Sequence, residues 1–323
     1  MLLEPRPLPP ETVDGLRPPR AGFPYFAHAD QYAFEPTAPA GSPVNAWWLA
    51  DASFLVYGDS TFIDHAFNAS PLPLQGFSLA WLGSSELNRG MILSNPSALV
   101  IVFRGTRLQV RNLFDVAEFV LINQNDLWTD TKFFPAAWPT DGKVHSGFLE
   151  AFSEISPILD RVVTNRTPGQ RVWLTGHSLG GALATLAAAH LGFEQVHAAT
   201  TYGAPRVGDS AFIRSIPEAR LARYVHRDDW VATVPPTILG YAHPGVLHSL
   251  KSGGNRDLWN DLRTGTEELA AALVTLAREG KSRVGALPFK ISGLADHAAI
   301  YYATLLWNRL LESSSRKLKS ETR

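Results

Sequence analysis

The chain has 323 residues, 45% hydrophobic and 18% charged, which is enough for one large α/β domain or two small ones with a substantial core. Its formal net charge of −1 lacks the basic excess on which nucleic-acid binding draws. With no cysteine, disulfides and thiolate metal sites are excluded, which permits a reducing compartment without demanding one.

Ten of the 23 prolines fall within residues 1–43, which predicts an extended arm with little regular structure. The opening MLLEPRPLPPETVDGLRPPR carries prolines where a secretory signal would be apolar. No signal peptide is therefore expected, and a cytoplasmic address is favoured. Order is expected from Asn45, a good N-cap, into a helix with Trp47, Trp48, Ala50, Phe54, Leu55 and Tyr57 at roughly helical spacing. Strands follow in GFSLAWLG, RGMILS and ALVIVFRGT, the last apolar throughout, as a strand covered on both faces should be. A helix is predicted over 145–159, with Phe148, Phe152, Ile155 and Leu159 on one stripe.

Residues 172–193 contain no Asp, Glu, Lys or Arg and are long enough to span a bilayer. Gly176, Gly180, Gly181 and two histidines instead divide them into a buried strand, 171–175, and a buried helix, 180–191. No transmembrane segment is expected. Strands in AATTYGAP and ARYVHRDD, a polar-faced helix over 266–279 and a last helix over 296–311 complete the pattern. Strands alternating with helices predict a mainly parallel sheet flanked by helices.

Between the strand and helix of 171–191 stands Gly176-His177-Ser178-Leu179-Gly180-Gly181. A serine on such a turn projects outward, with glycines leaving room for close packing. The free N–H groups and dipole of the helix start favour developing negative charge, and Leu179 would supply one such donor. A serine hydroxyl needs a histidine base and a carboxylate to orient that base. Downstream, Asp228 and Asp229 are candidate acids, and His243, His248 and His297 remain open as the base on chain order alone.

From about residue 99 to 311 the blocks VIVFRGT, GKVHSGFLEAF, VWLTGHSLGGALATLAA, TYGAPRVGD, VHRDDWVATVPP, LGYAHPGVLHSL and LADHAAIYYATL resemble, in register, the class 3 (fungal-type) lipase family. NAWWLADASFLVYGD is similar to the first helix of bacterial members. The resemblance implies an α/β-hydrolase fold, a mainly parallel central sheet flanked by helices, with a lid insertion. It implies Ser178 as nucleophile and Asp229 as acid, in the pattern Asp229, Val231, Pro235, Pro236. It also implies His297, after Asp296, as base, with Thr106 and Leu179 as the oxyanion-hole donors. Such a site needs no metal or organic cofactor.

The resemblance further implies a lid over about 107–130, longer here than in compact fungal members. Leu113, Phe114, Phe119, Leu121 and Trp128 are candidate lid or substrate-binding residues, and a helix packed permanently on the core is the alternative. The expected organisation is thus an arm over 1–43, one hydrolase domain over 44–312 and a flexible tail over 313–323. The implied activity is hydrolysis of lipid esters, most simply triacylglycerol at a lipid–water interface. Phospholipase A1, feruloyl or aryl esterase, and a non-catalytic lipid-surface binder are the competing readings.

Overall fold

The structure, a computed structural model, describes residues 3–10, 12–83, 90–105, 135–250 and 296–321. In chain order its strands are β1 (Ser78–Leu82), β2 (Gly90–Ser94), β3 (Ala98–Phe103), β4 (Pro135–Ala137), β5 (Lys143–His145), β6 (Arg171–His177), β7 (Val196–Tyr202), β8 (Gly208–Asp209), β9 (Leu221–His226), β10 (Tyr241–Ala242) and β11 (Val246–Leu250). Its α-helices are α1 (Val13–Leu16), α2 (Pro43–Leu55), α3 (Ser60–Ala69), α4 (Ser146–Ser153), α5 (Ser156–Thr164), α6 (Leu179–Leu191), α7 (Ser210–Ile213) and α8 (Ala299–Glu321). The expected lid with Thr106, Leu113, Phe114, Phe119, Leu121 and Trp128, and the expected helix 266–279, lie outside the described residues.

Among the described residues, seven strands form the central sheet in the order β1-β2-β3-β6-β7-β9-β11. The first three run antiparallel; from β3 onward every neighbouring pair is parallel. A smaller sheet, β10-β8-β5-β4, lies beside it. The residues of β3 show why its sequence is apolar at every position. Ala98, Val100 and Val102 face one core, with α2 and α8, while Leu99, Ile101 and Phe103 face the other, with α4, α5 and α6. All six are buried, because a parallel strand packed on both sides has no face left for water. The uncharged stretch 172–193 becomes β6 and α6, and no helix among the described residues is long and apolar enough to cross a membrane.

Three predicted helices differ from expectation. α2 begins at Pro43, with Ser42 as the cap accepting from the Asn45 N–H. Proline suits the first helical turn, where its missing N–H costs nothing. Asn45 is inside the helix, and its amide instead binds the N–H and carbonyl of Glu35. The predicted helix 145–159 is two helices, α4 and α5, because Pro157 near the start of α5 cannot donate into a continuous ladder. α8 extends past the expected end at residue 311 to Glu321.

The proline-rich stretch holds only α1 and otherwise irregular backbone, and it packs onto the α2–α8 face. Leu16, Tyr25, Phe26 and Phe34 are buried there, with Phe26 and Phe34 against Trp48. Its anchor is Arg6. The guanidinium forks onto both oxygens of the fully buried Asp51 at 2.8 and 3.1 Å and lies 4.7 Å from the Phe23 ring centroid. The Phe26 N–H also donates to Asp51. Burial pushes the Asp51 carboxyl up, and the guanidinium is the largest opposing influence.

Removing one partner of such a pair strands the other charge in a dry site. Arg6→Ala is therefore expected to destabilise the fold by about 3–5 kcal/mol in urea unfolding. The double replacement Arg6→Met with Asp51→Leu should cost clearly less. Acid should also weaken the fold. Burial lowers His145 and His226 to about 4 and, with two arginines opposing a further charge, His243 to about 3. The unfolded chain, with histidines near about 6.5, binds these protons first. Stability is thus complete above that pH and falls as pH drops toward about 4, so thermal unfolding at pH 4.5 should begin at lower temperature than at pH 7.

Candidate active site

The parallel strands deliver successive loops to one edge of the sheet. Ser178 follows β6 directly and starts α6, with φ 57° and ψ −128°. This is a conformation non-glycine residues rarely hold, at a cost of about 1–3 kcal/mol. Three glycines make it possible. A Cβ on Gly176 would strike the Gly180 backbone, one on Gly180 the Phe103 carbonyl, and one on Gly181 would lie 2.7 Å from the Ala204 Cβ. The turn is pinned by the Ser178 N–H bonding to the Tyr202 carbonyl at 2.9 Å. Ser178 and Leu179 remain part-exposed while everything beneath them is buried. As the first residue of α6, Leu179 has an N–H with no carbonyl one turn back.

Asp229 caps the short 3-10 turn Trp230–Thr233 after β9 and is 1% exposed. A carboxylate so buried needs its lone pairs taken. His297 Nδ1 lies 2.9 Å from each of its oxygens, the Tyr302 hydroxyl donates to Oδ2 at 2.5 Å, and the Val231 N–H donates to Oδ1 at 3.0 Å. The Tyr302 hydroxyl in turn accepts the His226 N–H at 3.1 Å. Burial and the neighbouring carboxylate drive the Tyr302 pKa far upward, so it stays a donor. Gly203, next to the Tyr202 that holds Ser178, closes the cluster. A Cβ there would lie 3.0 Å from His297 Nδ1 and 2.9 Å from the Tyr302 hydroxyl.

The three histidines left open by chain order now separate. His243 Nε2 donates to the Ala232 carbonyl at 2.6 Å, bracing the loop after Asp229. His248 lies on β11, stacked on Tyr224 with centroids 4.8 Å apart. His297 alone of the three pairs with Asp229. Asp228 instead turns its backbone N–H to the Asp296 carboxylate at 3.3 Å. Asp296 is itself pushed up to about 6, chiefly by burial. Tyr302, His177, His226 and Tyr57 belong to this cluster and were missed in the sequence. All four stood inside quoted blocks, but nothing local signals that they reach one another.

His177, beside Ser178, is buried, which holds its imidazole neutral. Its Nε2 lies 2.6 Å from the His297 carbonyl, its Nδ1 lies 2.8 Å from the Tyr57 hydroxyl, and its ring lies 4.4 Å from the His297 ring. Tyr57 also fills the space beside Gly105, where any Cβ would collide with its hydroxyl. Thr106, the next residue, is outside the described chain.

Known proteins resemble part of this chain. The family model for lipase (class 3) matches residues 100–239. A secreted mono- and diacylglycerol lipase 1 from Fusarium solani is 40% identical over 118 residues, covering 34% of this chain and 35% of that protein. A secreted mono- and diacylglycerol lipase 2 from Gibberella zeae is 31% identical over 188 residues, covering 50% and 46%. The crystal structure of a lipase from Rhizopus microsporus var. chinensis superposes with a TM-score of 0.50 at 26% identity, covering 68% of this chain and 77% of that one. The matched stretch is thus about a third to a half of the length of these curated relatives. Their names correct one expectation. Both are called secreted, so the cytoplasmic address favoured from the opening residues does not stand. With an α/β-hydrolase sheet and a strained serine turn, residues 100–239 of this chain are similar to the class 3 lipase family.

Proposed function

We propose that this protein is a serine carboxylic-ester hydrolase acting on lipid esters, most simply acylglycerols. The observation that carries the reading is the buried His297–Asp229 pair, whose imidazole lies 4.4 Å ring to ring from His177, the residue before a part-exposed serine held at positive φ. In this reading Ser178 Oγ attacks the acyl carbonyl carbon while His297 Nε2 takes its proton. Asp229, bonded to Nδ1, fixes the ring orientation and stabilises the imidazolium. The Leu179 N–H, with Thr106 as the second donor, stabilises the oxyanion of the tetrahedral intermediate. Collapse breaks the ester C–O bond, and His297 returns its proton to the departing alcohol oxygen. Water then repeats the sequence on the acyl-enzyme, its proton passing to His297 and finally to Ser178 as the fatty acid leaves.

The donor set around Asp229 supports this division of labour. Tyr302 and Val231 donate to the lone pairs that His297 does not, which holds the carboxylate in place facing Nδ1. We further propose that residues 107–130 act as a lid over the acyl site, with Leu113, Phe114, Phe119, Leu121 and Trp128 as its apolar lining. The apolar content of that stretch supports the idea.

Ser178→Ala is expected to lower hydrolysis of a p-nitrophenyl ester to the residual rate given by binding and the oxyanion hole, about 10³–10⁴ over water. It should also abolish labelling by a fluorophosphonate. Asp229→Asn should cost about 10²–10⁴-fold in kcat with little change in KM. Near-normal hydrolysis by the Ser178 variant would refute the assignment. Assays on triolein, phosphatidylcholine and methyl ferulate decide the substrate class, with acylglycerol turnover the expected preference.

A further inference from the structure

The base-bearing segment 296–297 lies just ahead of α8. Two imidazoles reach it from different strands. From the end of β6, His177 Nε2 lies 2.6 Å from the carbonyl oxygen of His297. From the end of β9, His226 Nδ1 lies 3.1 Å from the carbonyl oxygen of Asp296. Both histidines are almost wholly buried, at 5% and 2% exposure.

A carbonyl oxygen can only accept. His177 must therefore carry its proton on Nε2 and His226 on Nδ1, so the two rings are held in opposite tautomers. For His177 the remaining nitrogen confirms the assignment, because Nδ1 is then an acceptor and faces the Tyr57 hydroxyl, which donates to it. Burial keeps both rings neutral, which suits a pair sitting beside a residue that becomes an imidazolium.

We propose that His177 and His226 are positioning residues that clamp the successive carbonyls of His297 and Asp296, fixing the backbone from which the base reaches both Asp229 and Ser178. The proposal rests on the reading of His297 as the base. Neither histidine need touch substrate. Their work is to hold one residue, on a short segment, to the sub-ångström placement that proton transfer demands, where a displacement of about 1 Å costs about 10²-fold.

The opposite tautomers make the clamp testable by amide replacement. A glutamine Nε2 sits where a histidine Nε2 does, and an asparagine Nδ2 sits where a histidine Nδ1 does. His177→Ala and His226→Ala should each lower kcat about 10–100-fold with KM within about twofold. His177→Gln should recover to within about fivefold of the parent, and His177→Asn should not. At position 226 the order reverses, with His226→Asn recovering and His226→Gln failing. Thermal unfolding of every variant, measured in parallel, separates loss of fold from loss of placement. Equal recovery by both amides at either position, parental kcat in both alanine variants, or kcat losses that merely follow Tm would overturn the proposal.

A readout independent of turnover is the low-field proton NMR signal of the His297 Nδ1–H bonded to Asp229. It should be kept in the matched amide variants and shifted or broadened in the alanine and mismatched ones. If the parent protein neither hydrolyses esters nor labels at Ser178, the functional reading fails. The NMR series still judges the clamp by itself, for or against.

Discussion

Burying one carboxylate organises much of this site. Asp229 is all but inaccessible to water, and an ionised oxygen in such a place is tolerable only when donors surround it. The donors come from three places in the chain: the Val231 N–H of its own turn, Tyr302 on α8, and His297 just before α8. Satisfying Asp229 therefore ties the C-terminal helix to the end of β9. The same helix packs along α2, with Trp307 against Trp47, so the position of His297 is inherited from the aromatic core.

The serine turn has a different physical basis. Its strain is sustained by close contact rather than by charge. α6 lies so close to β6 at Gly176, to the end of β3 at Gly180 and to Ala204 at Gly181 that only hydrogen fits at the three glycines, and the Ser178 N–H is captured by β7. The register between β3 and β6 pairs Phe103 with Gly176, which brings the segment through Gly105 alongside the serine. Parallel strands end at one edge, so residues distant in sequence arrive together without any loop having to span the sheet.

The proline-rich segment joins these two themes. Arg6, held by Asp51 and by the rings around it, fastens residues 3–42 onto α2. α2 is buried on nearly every side, and the chain leaving it carries Tyr57, whose hydroxyl meets both His177 and the space beside Gly105. Packing at the N-terminus is thereby connected, through a few rigid contacts, to the residue next to the serine. A buried ion pair contributes little net stability by itself. Its role here is to fix which way an irregular segment lies.

Much of the architecture was legible from local pattern. The apolar run of β3 announced a strand covered on both faces, and glycines flanking Ser178 between a strand and a helix announced a turn that projects a side chain. Both are consequences of backbone geometry within a few residues. Ser42 displacing Asn45 as the cap, and Pro157 splitting one helix into two, were also local, but there two local signals competed and packing selected between them. The identity of the Asp229 partner was not legible from residue type or order, since His243, His248 and His297 carry the same imidazole. Resemblance alone singled out His297, and the fold then gave His243 a carbonyl and His248 a tyrosine ring. Tyr57, His177, His226 and Tyr302 were beyond sequence reasoning altogether, because their contacts join positions about 70 to 120 residues apart. The sequence by itself determined the alternation of elements and the strained serine turn, since these depend on neighbours along the chain. Only the tertiary structure decided which imidazole serves the carboxylate and which ones hold the backbone, since a hydrogen bond depends on distance in space and not on separation in sequence.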